Sequence, residues 1–548
     1  MFGVVLSVLL AAVTSSSADL IVTSARIWTG DAEHPEAQAL AAREGRLIAV
    51  GTDAQISKLR GAHTHVIDAH GRRVVPGFID DHTHMSGGGF NLLALDLRHT
   101  KDPEDFTRQL ALFAAKKPHG QWLTDGAWDH EQWNPPRLPT KALLDAATED
   151  RPTCLARQDG HMVVCNSLAL ALAGITKESP DPPGGVIVRD SSGEPTGILK
   201  DAAMDAISSV RPARTQAELV EALHAAMRHA ASVGVTSVQD LPGTPGDLAA
   251  WGKLRDAREL TVRVNYRPSL TDWEAVAKER ADVKNDEWLR VGGVKGYADG
   301  SLGSSTALFF APYSDDPGNS GVFNAEAIPL ERMEERVAGA DRAGLQVEIH
   351  AIGDRANAAI LDLYERVAAA DGPKDRRFRI EHAQHLRAAD IPRFARLSVI
   401  ASMQPYHAID DGRWAEKRIG AERCRTTYAF RSLLDAGARL AFGSDWDVAP
   451  LSPIAGIDAA VTRRTIDGAN PRGWFPEQRV SPAEALTAYT SGAAYAAFED
   501  KEKGRLTTGR LADFVVLSRD VLAIDPSEIV QTQVDVTVVG GRVVYFRR

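Results

Sequence analysis

Apolar residues come in short runs along this chain, and most runs close on a polar residue. Eight such runs, at 74–84, 235–240, 262–268, 291–299, 345–350, 378–382, 398–404 and 439–445, are too short for helices. They predict buried strands of a parallel sheet. Stretches of helical period lie between them. One begins with a capping box at Thr215 and Glu218, places Leu219, Leu223, Met227 and Ala230 on one face, and stops before Gly234. Another starts near Asp354, carries Ile360, Leu363, Tyr364 and Val367 on one stripe, and ends before Gly372. Eight strands alternating with helices predict an α/β fold, a (β/α)8 TIM-like barrel whose chemistry gathers at the C-terminal strand ends.

The two ends of the chain are β-rich instead. Short strand-like pieces lie within 20–50, and others within 513–546, where Gly540-Gly541 marks a hairpin turn. Neither set is large enough to stand alone. They are expected to form one small β-sandwich domain from 19–75 plus 504–548, around a barrel at 76–503. The connection at 85–232 is too long for one βα link, so it must contain an insertion, roughly 119–215, able to roof the barrel mouth.

Composition narrows the partners. The 548 residues carry 63 Lys plus Arg against 73 Asp plus Glu, a net charge of −10 with no basic block, which argues against nucleic acid. No apolar run reaches the roughly 18 residues of a membrane span. The apolar block at 1–13, followed by small residues at Ser16 and Ala18, predicts a signal peptide over 1–18 and a secreted or periplasmic protein. Cys154, Cys165 and Cys424 fit no metal spacing. Cys154 and Cys165 either pair or stay reduced, and a homodimer is compatible with the chain.

The chemistry sits at the strand ends. Within Pro76-Gly77-Phe78-Ile79-Asp80-Asp81-His82-Thr83-His84, residues 82 and 84 share a strand face and offer two imidazoles to one metal ion. His63-Thr64-His65 has the same spacing but lies in the β-rich terminus, where it reads as a solvated pair. His350, His382 and Asp445 each close an apolar strand. A lone His there is usually a satisfied core residue; four with an Asp at one barrel mouth form a metal site. Lys295 lies inside a strand, so it must lose its charge, be modified, or find an anion such as Asp299.

These segments resemble the metal-dependent amidohydrolase superfamily, and within it the family 3 branch that contains N-substituted formamide deformylases. The resemblance covers residues 19–548. It rests on PGFIDDHTH at 76–84, DGHMVVCNSLAL at 159–170, KGYADGSLGSSTA at 295–307, EIHAIGDRA at 348–356, RIEHAQ at 379–384, AFGSDW at 441–446 and GRLADFVVL at 509–517. It implies that His82 and His84 bind a buried metal ion, that His350 and His382 bind a second, and that Asp445 sits beside the nucleophilic water. It also implies that CO2 converts Lys295 to a carbamate bridging the ions. Ser305 departs from the pattern, since relatives often carry Arg there. His161 resembles a substrate-facing position in the insertion and otherwise reads as a surface His. Trp128, Trp133, Tyr406 and Trp446 are pocket or core aromatics. His224 and His229 read as solvated, and His385 as lying behind the ligands.

The expected function is hydrolysis of a C–N bond in a small molecule, a linear amide or N-formyl amine, with Asp445 as proton shuttle. A lactone or ester hydrolase and a ring aminohydrolase are alternatives on the same site, and a non-catalytic metal-binding protein is a remote one. Zn2+ is the default for this donor set, as one or two ions, although Mn, Ni or Fe suit similar ligands. Replacing His82 or His84 by Ala should abolish turnover and lower metal content. Replacing His63 and His65 together should do neither, and loss of metal from that double variant would reverse the assignment.

Overall fold

The computed structural model describes residues 17–548, apart from 131–132, 149, 158–161, 183–184, 242–245, 281–284 and 304. The chain divides into two compact units, Met1–Met85 with Ala226–Arg548, and Ser86–Ala225.

The first unit holds the parallel strands. β1 (Phe78–Thr83), β2 (Val235–Asp240), β3 (Arg263–Tyr266) and β4 (Leu289–Val291) form one sheet in the order β4-β3-β2-β1. β5 (Gly293–Tyr297), β6 (Gln346–Ala351), β7 (Arg379–His382), β8 (Ile400–Met403) and β9 (Arg439–Phe442) form a second, in chain order. Single parallel bridges join Thr83 of β1 to Trp446, beyond β9, and Lys295 of β5 to Ser269, beyond β3. Hydrogen bonding therefore shows two parallel sheets with bridges between them rather than one unbroken ring.

Each expected strand is present, with two breaks caused by close approach. The expected strand at 291–299 begins on β4 and continues as β5 across Gly292, where a Cβ would collide with the Asn265 amide. The first expected strand, 74–84, is also two. Arg73–Pro76 joins a terminal sheet, and β1 starts after Gly77, where a Cβ would run into the Thr236 side chain.

Both termini contribute to one six-stranded sheet. Its order is Arg542–Phe546, Val534–Val539, Phe514–Leu517, Arg73–Pro76, Arg26–Trp28, Glu36–Ala37. A four-stranded sheet of Arg46–Gly51, Ala39–Arg43, Leu20–Thr23 and His65–Asp68 accompanies it. Leu40, Val74, Phe514 and Val538 share one buried cluster there. Asp513 ties this region to β3, accepting from Arg263 Nε at 2.7 Å and from the Gly540 N–H at 2.7 Å. His63 and His65 are exposed.

The second unit contains a mixed six-stranded sheet and the helices Pro103–Ala114, Lys141–Thr148 and Ser167–Leu172. It extends beyond 119–215 on both sides. Cys154 and Cys165 face each other on antiparallel strands and form a disulfide, while Cys424 is free and buried. Among the described residues no helix is long and apolar enough to cross a membrane.

Asp240, at the end of β2, is fully buried and accepts from the Met85 N–H and from Trp251 Nε1, each at 2.8 Å. Burial pushes its pKa up to about 8 against those hydrogen bonds. Unfolding restores the ordinary carboxyl pKa of about 3.9. Between these values the folded state holds more protons, so this group makes stability fall as pH rises, with the loss complete above about pH 8. Asp240→Asn, which stays neutral, should flatten that decline. Thermal melts of both proteins from pH 5 to 9 check it; parallel curves would refute it.

Candidate metal centre

The site is assembled at strand ends. His82 lies in β1, Lys295 in β5, His350 in β6 and His382 in β7. Asp445 follows β9, and both His382 (φ 72°) and Asp445 (φ 58°) have left-handed backbone. For a non-glycine residue that conformation costs roughly 1–2 kcal/mol. Here it turns each side chain off the strand course at the point where the chain leaves the sheet. Gly443 lets the first and last strands approach, since a Cβ there would stand 2.6 Å from the His82 nitrogen. Asp80 fastens the same junction, accepting from the backbone N–H of His82 at 3.2 Å and of Ser444 at 2.9 Å.

Asp445 is the centre of the cluster. Its Oδ1 lies 3.3 Å from Nε2 of both His82 and His84. Ligand atoms of His82, His382 and Asp445 all fall within 4.8 Å of one another. The far ring nitrogens are held from behind. His82 Nδ1 meets Glu381 Oε2 at 2.6 Å, and His382 Nδ1 meets Gln404 Oε1 at 2.8 Å. Both Nδ1 atoms then donate, so in the neutral ring each Nε2 carries a lone pair for a cation, the orientation that metal-binding histidines take. His350 is turned the other way, with Nε2 3.2 Å from the Gly300 carbonyl, so its Nδ1 is the free nitrogen.

Electrostatics sort these groups into donors. Burial, then the Lys295 charge, push His350 down to about pKa 3, and burial holds His382 well below its ordinary value. Both stay neutral, as ligation requires. Burial would raise Asp445, but His82 and the hydrogen bonds from His82 and His84 outweigh it and keep the carboxylate ionised. Burial and Lys295 would depress His82, yet Asp445 and Glu381 raise it to about 9. Positive charge is favoured between those two carboxylates. The donor set thus fits a divalent cation.

Lys295 is buried, with Nζ 4.7 Å from the centroid of the Tyr297 ring. Asp299, the anion that could have paired with it, instead accepts the backbone N–H groups of Ile352, Leu308 and Gly353 at 2.8–2.9 Å. His82, His84, Lys295, His350, His382 and Asp445 line one cavity of about 480 Å3 with Tyr297, His407, Trp414 and Val448. A larger cavity of about 660 Å3, at the start of β9 beside Tyr495 and Lys501, holds no such ligand cluster among the described residues.

The softer candidates are placed elsewhere. Trp128 is fully buried in the second unit with its indole N–H on the Leu155 carbonyl, and Trp133 joins the same core. Trp446 is buried against His229, ring centroids 5.4 Å apart, so His229 is half-buried rather than solvated. Tyr406 is half-buried and does not line the cavity; its neighbour His407, which sequence reading passed over, does. His385 is buried against Thr427 and Gln384. His161 lies outside the described residues. Ser305 accepts from Arg418, which brings a guanidinium to this loop from 113 positions away.

A sequence model of the amidohydrolase family, family 3, matches residues 65–545. The chain belongs to the amidohydrolase family. This amidohydrolase is 40% identical over 542 residues to Protein LONG AFTER FAR-RED 3 of Arabidopsis thaliana, covering 96% of this chain and 92% of that protein. It is 29% identical over 548 residues to N-substituted formamide deformylase of Arthrobacter pascens, covering 96% and 98%. Its fold matches an uncharacterized metal-dependent hydrolase from Pyrococcus furiosus with a TM-score of 0.76 at 29% identity, over 92% of this chain and 99% of that one. With the buried His82, His382 and Asp445 group, these place it among the metal-dependent hydrolases of the family.

Glu381→Gln keeps the size of the residue behind His82 but removes its charge. Metal affinity, measured by competition with a chelator, should fall about 10- to 100-fold. Unchanged affinity would show that Glu381 does not orient His82.

Proposed function

We propose that this amidohydrolase hydrolyses a linear amide or N-formyl amine. The observation that carries the reading is an ionised Asp445 with one carboxylate oxygen against two imidazoles, at the wall of a cavity sized for a small molecule. The full-length similarity to an N-substituted formamide deformylase supports the choice of bond.

His82, His84, Asp445, His350, His382 and Lys295 would hold one or two divalent ions, Zn2+ by donor type, in a closed (β/α)8 barrel. When bound, such an ion lowers the pKa of water toward neutrality and polarises a carbonyl. The remaining work falls to the protein. Asp445, ionised at neutral pH, takes a proton from the attacking water and passes it to the departing nitrogen, acting as base and then acid. Glu381 and Gln404 hold His82 and His382 in one tautomer throughout. The Lys295 amine combines with CO2 and releases one proton, leaving an anionic oxygen donor where a buried ammonium would repel the metal.

The test is metal analysis of the purified protein, followed by turnover of N-formyl, N-acyl, lactone and amino-heterocycle panels. Asp445→Asn should lower kcat at least about 10²-fold while most metal is retained. Lys295→Ala should lose metal and activity together, with short carboxylates restoring part of both, whereas Lys295→Arg should not recover. Near-normal activity of the Asp445→Asn variant would sink the proton-shuttle role, and turnover confined to lactones would move the enzyme to ester chemistry.

A further inference from the structure

We propose that His407 is a positioning residue for Asp445, holding the carboxylate by a hydrogen bond from Nε2–H to Oδ2. The proposal deepens the amide-hydrolysis reading and takes from it the role of Asp445. His407 belongs to the helix Pro405–Asp411, which begins two residues after β8. Its ring lies nearly parallel to that of His382, with centroids 6.3 Å apart and planes 11° apart. Its Nε2 is buried and has no hydrogen-bond partner among the described residues.

The atom it faces is Asp445 Oδ2, 3.9 Å away. That is longer than a hydrogen bond, and a small turn of the carboxylate about its bond to Cβ brings Oδ2 within reach. Leaving a buried polar nitrogen unpaired is unfavourable, so the turn that closes this gap is favoured. Asp445 thereby has a different task at each oxygen. Oδ1 faces His82 and His84, and Oδ2 faces His407. Without His407 only the Oδ1 side of the carboxylate is held, by His82 and His84, and both metal holding and proton transfer need Oδ2 fixed as well. The helix is itself anchored. Asp411, one turn after His407, accepts from Tyr428 Oη at 2.6 Å and from Gln384 Nε2 at 2.8 Å.

The test is a double-mutant cycle with two readouts. His407→Phe keeps the ring against His382 and removes the N–H, whereas His407→Gln keeps a donor. If His407 acts through Asp445, His407→Phe lowers metal affinity and kcat each about tenfold, with KM within threefold. His407→Gln recovers part of both. Combined with Asp445→Asn, His407→Phe then has no further effect, because coupled residues are not additive. Additive losses, equal damage in the Phe and Gln variants, or unchanged metal affinity overturn the proposal. Metal affinity by chelator competition needs no substrate. If the wild type turns over no amide, the functional reading fails while the cycle still decides on His407.

Discussion

The site depends on a stack of buried charges behind it. Arg267, just after β3, Glu348, on β6, and Arg379 and Glu381, on β7, are all fully buried. An isolated charge in such a place costs several kcal/mol. Here each offsets another. Arg267 meets Glu348 at 3.0 Å, and Arg379 meets Glu348 at 3.3 Å and Glu381 at 2.8 Å. Burial alone would raise Glu381, but Arg379 and His82 hold it below the ordinary carboxylate range. That surviving negative charge fixes the His82 ring 2.6 Å away.

The strand register explains how the stack and the ligands come to be adjacent. Lys295 lies beside Glu348, Glu348 beside Arg379, and His350 beside Glu381 on successive strands. Residues two apart share a face. Glu348 therefore sits one step below His350, and Lys295 one step below Tyr297, on strands whose ends open to the cavity. One periodicity builds both the charged floor and the layer of candidate ligands above it. A change in the floor would be felt above it.

Much of this was legible in the chain. Short apolar runs ending on His or Asp, and a Lys set inside one, mark strands whose polar residues need a partner. That logic located His82, Lys295, His350, His382 and Asp445, and separated them from the exposed His63 and His65. It did not find His407, which lies on a helix with no apolar run to flag it. Nor did it settle Trp128 and Trp446, since an aromatic residue packs a core or lines a pocket with the same sequence pattern. The split of 74–84 at Gly77 depends on where Thr236 stands, 159 positions away.

The sequence by itself determined the kind of fold, the positions of its parallel strands and the residues able to ligate a cation, because periodicity and side-chain chemistry are local properties. Only the tertiary structure decided which nitrogen of each imidazole faces the cavity, which carboxylates stay charged, and that Cys154 stands opposite Cys165. Those outcomes depend on groups hundreds of positions apart, such as Glu381 and His82 at a separation of 299. Desolvation and Coulomb energies depend on distance in space, and no local pattern records that distance.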